Sequence, residues 1–163
     1  MEDESLRLDN QVCFTVHAAS RALDGIYRRE LRDLGLTYPQ YLVMLVLWEG
    51  GPGAADGRPP TVKELGASLR LDSGTLSPLL KRLEAAGLVR RDRGVHDQRS
   101  VHVRLTAGGS ALRRRARQVP ARIFAATGLD EGELTHLRHA LGRLTTALDG
   151  ALLDTAASGA APE

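Results

Sequence analysis

The sequence predicts a mainly α-helical fold that carries one small β-hairpin. Three observations predict it. Apolar residues recur at spacings of three and four along several long stretches. Two stretches open on a threonine with Gln or Glu three residues later, Thr37–Gln40 and Thr61–Glu64, which is capping-box spacing. Between residues 88 and 105 the pattern changes to strand-like alternation on either side of a charged, turn-rich segment.

The first helix is expected over about 8–34, where Leu8, Val12, Val16, Ala19, Leu23, Ile26, Leu31 and Leu34 form one apolar face. Asp9 is its expected N-cap and Gly35 its stop. A second helix runs over about 38–49, with Pro39 in its first turn. Residues 50–60, GGPGAADGRPP, have loop composition. Thr61 opens a short third helix that carries Val62, Leu65 and Leu69. After a break at Leu71-Asp72, a fourth helix spans about 73–86, with Leu76, Leu79, Leu80 and Leu83 inward and Gly87 at its end. Pro78 must lie near the start of that helix or bend it. Leu88-Val89 begins a short strand, 91–99 is turn-like, and Val101, Val103 and Leu105 alternate with His102 and Arg104 in a returning strand. Thr106 caps a fifth helix over about 107–126, whose regularity Gly108, Gly109 and Pro120 weaken. A sixth helix follows over about 130–152, and the tail 155–163 reads as disordered.

The chain has 163 residues, 42% hydrophobic and 26% charged, which is the composition of one ordinary globular domain. Its start is acidic at Glu2, Asp3, Glu4 and Asp9, unlike a secretory signal. No apolar run approaches the roughly 18 residues of a membrane span. The expected location is therefore the cytoplasm, with no membrane partner, no metal and no cofactor.

The net charge of +2 hides an asymmetry. Residues 81–122 hold twelve basic side chains against three acidic ones, whereas 123–163 hold two against six. A basic block on a near-neutral chain points to a polyanion partner; its bland alternative is a solvated helix face. Cys13 is the only cysteine, which excludes an internal disulfide and a multi-cysteine zinc site. Its bland reading is a small buried hydrophobe.

Helix, short turn, helix, then an arginine-bearing hairpin is the order of a winged helix-turn-helix. A helix fits the major groove of DNA, and a basic hairpin reaches the adjacent minor groove and its phosphates. Ser73, Thr75, Ser77, Pro78 and Lys81 lie on the start and outer face of the fourth helix, suited to phosphates and base edges. In the hairpin, Arg91, Arg93 and Arg99 are candidate DNA contacts, and Asp97, two residues from Arg99, is placed to orient that guanidinium.

At these residues the chain resembles the MarR family of dimeric bacterial repressors, through LDSGTLSPLLKRLEAAGLVRR and DQRSVHVRLT. The resemblance covers residues 6 to about 150 and implies a single MarR-type domain over 1–154. In it, a winged lobe of about 37–105 is flanked by dimerisation helices over about 8–34 and 107–152. LDNQVCF, Tyr27 and LTYPQYLVMLVLWE further resemble the organic hydroperoxide resistance regulators of that family. That resemblance implies Cys13 as a redox sensor whose sulfur is hydrogen-bonded by Tyr27 and Tyr38.

The chemistry fits those residue types. Only a thiolate attacks a peroxide oxygen efficiently, and a place in the first turns of a helix favours the anion. Cys13 and Tyr27 are fourteen residues apart, about 21 Å on one straight helix. A tyrosine hydroxyl touching a sulfur is then more easily supplied by a second, antiparallel subunit. The expected function is a homodimeric repressor that binds double-stranded operator DNA and releases it when an organic hydroperoxide oxidises Cys13. A small cellular thiol is one partner for the oxidised sulfur. The protein reacts once per event and is not an enzyme. The alternative is a MarR-type repressor responding to a small phenolic or lipophilic ligand. A thiol peroxidase would need a resolving cysteine, and a nonspecific architectural binder would show no operator preference.

Overall fold

The computed structural model describes residues 4–50, 58–93 and 100–158. The chain divides into two compact units, Met1–Ile123 and Phe124–Glu163. The first holds α1 (Val12–Glu30), α2 (Tyr38–Glu49), α3 (Val62–Leu69), α4 (Ser73–Ala85), β1 (Val89–Arg93), β2 (Val101–Leu105), α5 (Ala107–Ala116) and the start of α6 (Val119–Thr127). The second holds the end of α6 and the long α7 (Glu131–Ser158).

Both capping boxes form. Gln40 accepts from the Thr37 main-chain N–H at 2.9 Å, and Glu64 from that of Thr61 at 2.7 Å. Each ties up N–H groups that a helix start leaves without partners. Helix α2 is apolar on most sides and sits centrally. Tyr41, Val43, Met44, Leu47 and Trp48 are buried with Leu65 of α3, Leu76, Leu80 and Leu83 of α4, Val89 and Val103 of the hairpin, and Leu112 of α5.

Five boundaries differ from expectation. The first helix is not continuous over 8–34: a 3-10 turn over Leu8–Asn10 precedes α1, whose N-cap is Gln11 rather than Asp9, and α1 ends at Glu30, a second 3-10 turn over Arg32–Leu34 leading to Gly35. The first strand reaches Arg93 rather than turning at 91, so Arg91 and Arg93 are strand residues paired with Val103 and Val101. The expected helix 107–126 is broken after Ala116, because Pro120 has no N–H to give the Ala116 carbonyl. Helix α7 runs on to Ser158, four residues into the segment expected to be irregular.

A third short segment joins the hairpin. The Pro60 carbonyl accepts from Val103 N–H at 2.9 Å, and Thr61 bridges His102. Proline serves here as an acceptor, the one ladder role left to it.

Candidate functional site

Helix α4 starts at the N-cap Asp72, whose carboxylate accepts from Thr75 N–H at 2.9 Å and Thr75 Oγ1–H at 2.8 Å. Those bonds hold the Asp72 carboxyl below its usual range, the Thr75 hydroxyl contributing most. Leu76, Leu80 and Leu83 bury one face of α4 in the core. Ser73, Ser77 and Lys81 are exposed in one row at spacings of four along the flank of that buried stripe, and Thr75 and Pro78 are exposed elsewhere on the helix. Pro78 lies inside the helix without ending it. The five α4 residues picked from sequence are therefore all solvent-exposed, spread around the helix outside its leucine stripe. Asp72 was missed, although Asp before a helical run is a recognised cap signal.

Beside α4, with Ser73 and Ser77 on its wall, α3, α4 and the hairpin border a cleft of about 690 Å³ lined also by Val62, Gly66, Leu71 and Arg91. Arg93 is exposed at the end of β1. Arg91 is engaged by Glu84, and Asp92 lies between Arg104 at 3.1 Å and Arg90 at 3.4 Å. Asp97 and Arg99 lie outside the described residues.

The redox candidates fall in two places. Cys13 is exposed in the first turn of α1. Tyr27, near the other end of α1, stacks on Tyr38 at the start of α2, with ring centroids 4.2 Å apart. The fourteen-residue separation corresponds to about 21 Å of helix rise, so the phenols of this chain stand far from its own sulfur. A third phenol, Tyr41, lies 6.1 Å from Tyr27, and its ring meets Trp48 edge-on. Burial pushes the pKa of Tyr27, Tyr38 and Tyr41 up, and for Tyr27 the neighbouring phenols add to it. All three keep their protons at neutral pH and remain hydrogen-bond donors. Tyr41 went unnoticed because it reads as an ordinary core position.

Between the two places, α1 presents exposed apolar side chains: Val12 (61%), Phe14 (44%), Val16 (39%) and Leu23 (40%). In the second unit, α7 exposes Leu137, Leu141, Leu148, Leu152 and Leu153. Among the described residues there is no cluster of metal-ligating side chains, and no helix is long and apolar enough to cross a membrane.

The family model of the transcriptional regulator SarA/Rot matches residues 26–114. The organic hydroperoxide resistance transcriptional regulator of Bacillus subtilis is 40% identical over 145 residues, which span 89% of this chain and 94% of that protein. The chain is a MarR-family transcriptional regulator. Within the family it is of the organic hydroperoxide resistance type. The HTH-type regulator TtmR of Methylorubrum extorquens is 48% identical over 127 residues, 78% of this chain and 62% of TtmR. Reduced AbfR bound to DNA superposes with a TM-score of 0.74 at 32% identity, over 93% of this chain and 99% of that one. AbfR, from Staphylococcus epidermidis, is also solved with a disulfide formed, and that chain superposes at 0.57 over 89% and 97% at 36% identity. These relatives place the chain among winged-helix, DNA-binding regulators of transcription.

Proposed function

We propose that this regulator is a homodimeric repressor that senses organic hydroperoxides through Cys13. The carrying observation is the separation of sulfur and phenols. Tyr27 and Tyr38 are stacked, half-buried donors at one end of α1, and Cys13 is exposed at the other. The apolar face between them is uncovered. Two antiparallel α1 helices would cover that face and bring each Cys13 to the partner subunit's phenol pair. The names of the relatives support this: one is a hydroperoxide resistance regulator, and another is solved reduced on DNA and with a disulfide formed.

In the reaction, the Cys13 thiolate attacks the outer oxygen of the hydroperoxide. The O–O bond breaks, an S–O bond forms with the hydroxyl of the peroxide, and the remaining oxygen leaves as alkoxide and takes a proton from solvent to become the alcohol, leaving a sulfenic acid. The chain has no second cysteine. The sulfenic acid passes to a small cellular thiol, a cysteine of another chain, a backbone nitrogen, or a higher oxide. The added oxygen perturbs the phenol contacts at the dimer seam and alters the spacing of the two DNA-reading lobes. Ser73, Thr75, Ser77, Pro78 and Lys81 are the α4 residues that contact DNA, with Arg93 of β1 and, from the sequence alone, Asp97 and Arg99 as further contacts. Such a regulator works in the cytoplasm, on double-stranded DNA, without turnover.

A second reading is release by a small phenolic or lipophilic ligand, and the cleft beside α4 favours it. Cys13→Ser separates the two. The mutant is expected to stay on operator DNA under cumene hydroperoxide while wild type leaves; release of both in a gel shift would overturn the redox reading.

A further inference from the structure

Glu84 occupies the last turn of α4, where a carboxylate opposes the helix macrodipole instead of complementing it. Helix stability does not account for it there. Its Oε2 accepts from Arg91 Nη2 at 2.6 Å and Nε at 3.0 Å, and its Oε1 accepts from the Arg91 main-chain N–H at 3.2 Å. Three donors of one residue thus converge on one carboxylate, and they hold it below its usual range, the guanidinium contributing most.

The strand register explains why the main-chain N–H is available. Arg91 sits opposite Val103 in the antiparallel ladder. Val103 N–H points away from β1 to the Pro60 carbonyl, which makes this a pair whose N–H groups face outward. Arg91 N–H faces the other way and would be an open strand edge without Glu84. The hairpin is therefore pinned at one level from both sides, by Pro60 on β2 and by Glu84 on β1. Only Ala86, Gly87 and Leu88 separate α4 from β1, with Gly87 in the left-handed region at φ 69°. A pin just past so short a turn fixes the direction in which the wing leaves the recognition helix.

We infer that Glu84 is a positioning residue for DNA binding. It clamps Arg91 at the root of the wing, and Arg91 acts on DNA through this clamp, not by touching a phosphate. The Nε–H and Nη2–H edge of the Arg91 guanidinium is committed to Glu84 and is not available to grip a phosphate bidentately. The inference rests on DNA binding by the family and not on Cys13, so it survives failure of the redox reading.

The test uses the full-length reduced protein and the duplex that wild type selects from a random-sequence pool. Binding is titrated by fluorescence anisotropy between 50 and 200 mM KCl. Glu84→Gln, Arg91→Ala and Arg91→Lys are each expected to weaken binding about two- to fivefold, the scale of one partly exposed ion pair. The double variant Glu84→Gln/Arg91→Ala should be no worse than either single, and every salt slope should match wild type. A direct phosphate contact predicts the opposite pattern. Arg91→Ala would then lower the slope by about one unit, Arg91→Lys would bind like wild type, and Glu84→Gln would bind as well or better. That pattern overturns the inference. Amide exchange supplies a readout independent of affinity: the Arg91 N–H should exchange faster in Glu84→Gln, with α2 protection unchanged. Unaltered Arg91 exchange also overturns it.

Discussion

At Gly109 an added Cβ would lie 2.0 Å from the Leu88 carbonyl oxygen, a distance no side chain tolerates. The same residue's own carbonyl accepts from Trp48 Nε1–H at 2.9 Å, across 61 positions of sequence. Helix α5 can therefore leave the wing only through a glycine, and the indole of α2 ties down that exit. Gly109→Ala should cost roughly 2–4 kcal/mol, as overpacking against fixed backbone does. Trp48→Phe should cost roughly 1–3 kcal/mol for the indole hydrogen bond and the volume lost. Thermal unfolding checks both, and equal melting temperatures for mutant and wild type would contradict them. Gly109 appeared in the sequence only as a weakness in a helix, because the close approach of Leu88 is a fact of tertiary packing. Tyr27 and Tyr38 were legible through resemblance. Tyr41 was not, since nothing local distinguishes a core tyrosine from one stacked on a donor pair. Tyr27→Phe removes one donor and keeps the ring. It should slow the loss of the Cys13 thiol under cumene hydroperoxide about three- to tenfold, on the scale of one hydrogen bond to an anion. An unchanged stopped-flow rate would separate that phenol from the sulfur.

Helix α3 is the shortest α-helix that abuts the wing, and its start is its firmest part. Thr61 and Glu64 cap it reciprocally, and Arg58 adds an ion pair to the same carboxylate. The Glu64 carboxyl is held down to about 2 from 4.5, chiefly by the Thr61 main-chain N–H and then its hydroxyl. A depressed carboxyl stabilises the fold fully above the unfolded value and loses that contribution as pH falls through the folded one. The melting temperature should therefore decline between about pH 4.5 and 2. Glu64→Gln should flatten that part of the profile. Parallel profiles for the two proteins would show that Glu64 does not carry it. Thr61→Ala should cost about 1 kcal/mol at neutral pH. This element was readable because a capping box is encoded within four residues. The adjoining Pro59–Thr61 segment was not, because GGPGAADGRPP has loop composition and its pairing to the wing uses proline carbonyls, which leave no periodic trace. Helix α4 was readable on its buried side from leucine spacing, except at Leu79, which was expected inward and stays half-exposed outside the core cluster. The Glu84–Arg91 clamp was hidden because it joins two elements across a turn, and its residues look like ordinary surface charges.

For the whole molecule, the uncovered apolar face of α1 and the leucines of α7 set the outstanding question of assembly. Each such side chain, being about half exposed on α1 already, contributes roughly 1 kcal/mol when the rest of it is taken from water, so a second copy has reason to cover them together. Leu23→Glu should accordingly shift the protein to monomers in sedimentation, with operator binding lost, since one lobe reads only one half-site. Monomerisation alone does not show that the sensor is shared between chains; a mixed dimer does. One subunit carries Cys13→Ser with both tyrosines intact, and the other carries Tyr27→Phe and Tyr38→Phe with Cys13 intact. If phenols act across the seam, the one remaining sulfur faces the intact pair of its partner and oxidises at the wild-type rate. If phenols act within their own chain, that sulfur has only phenylalanines and oxidises as slowly as the double-Phe homodimer. The helix rise between positions 13 and 27 argues for the first result, because about 21 Å cannot be bridged by a tyrosine on the same straight helix. Slow oxidation in the mixed dimer, with dimer assembly confirmed by sedimentation, would refute the trans arrangement and leave Cys13 without its activating donors.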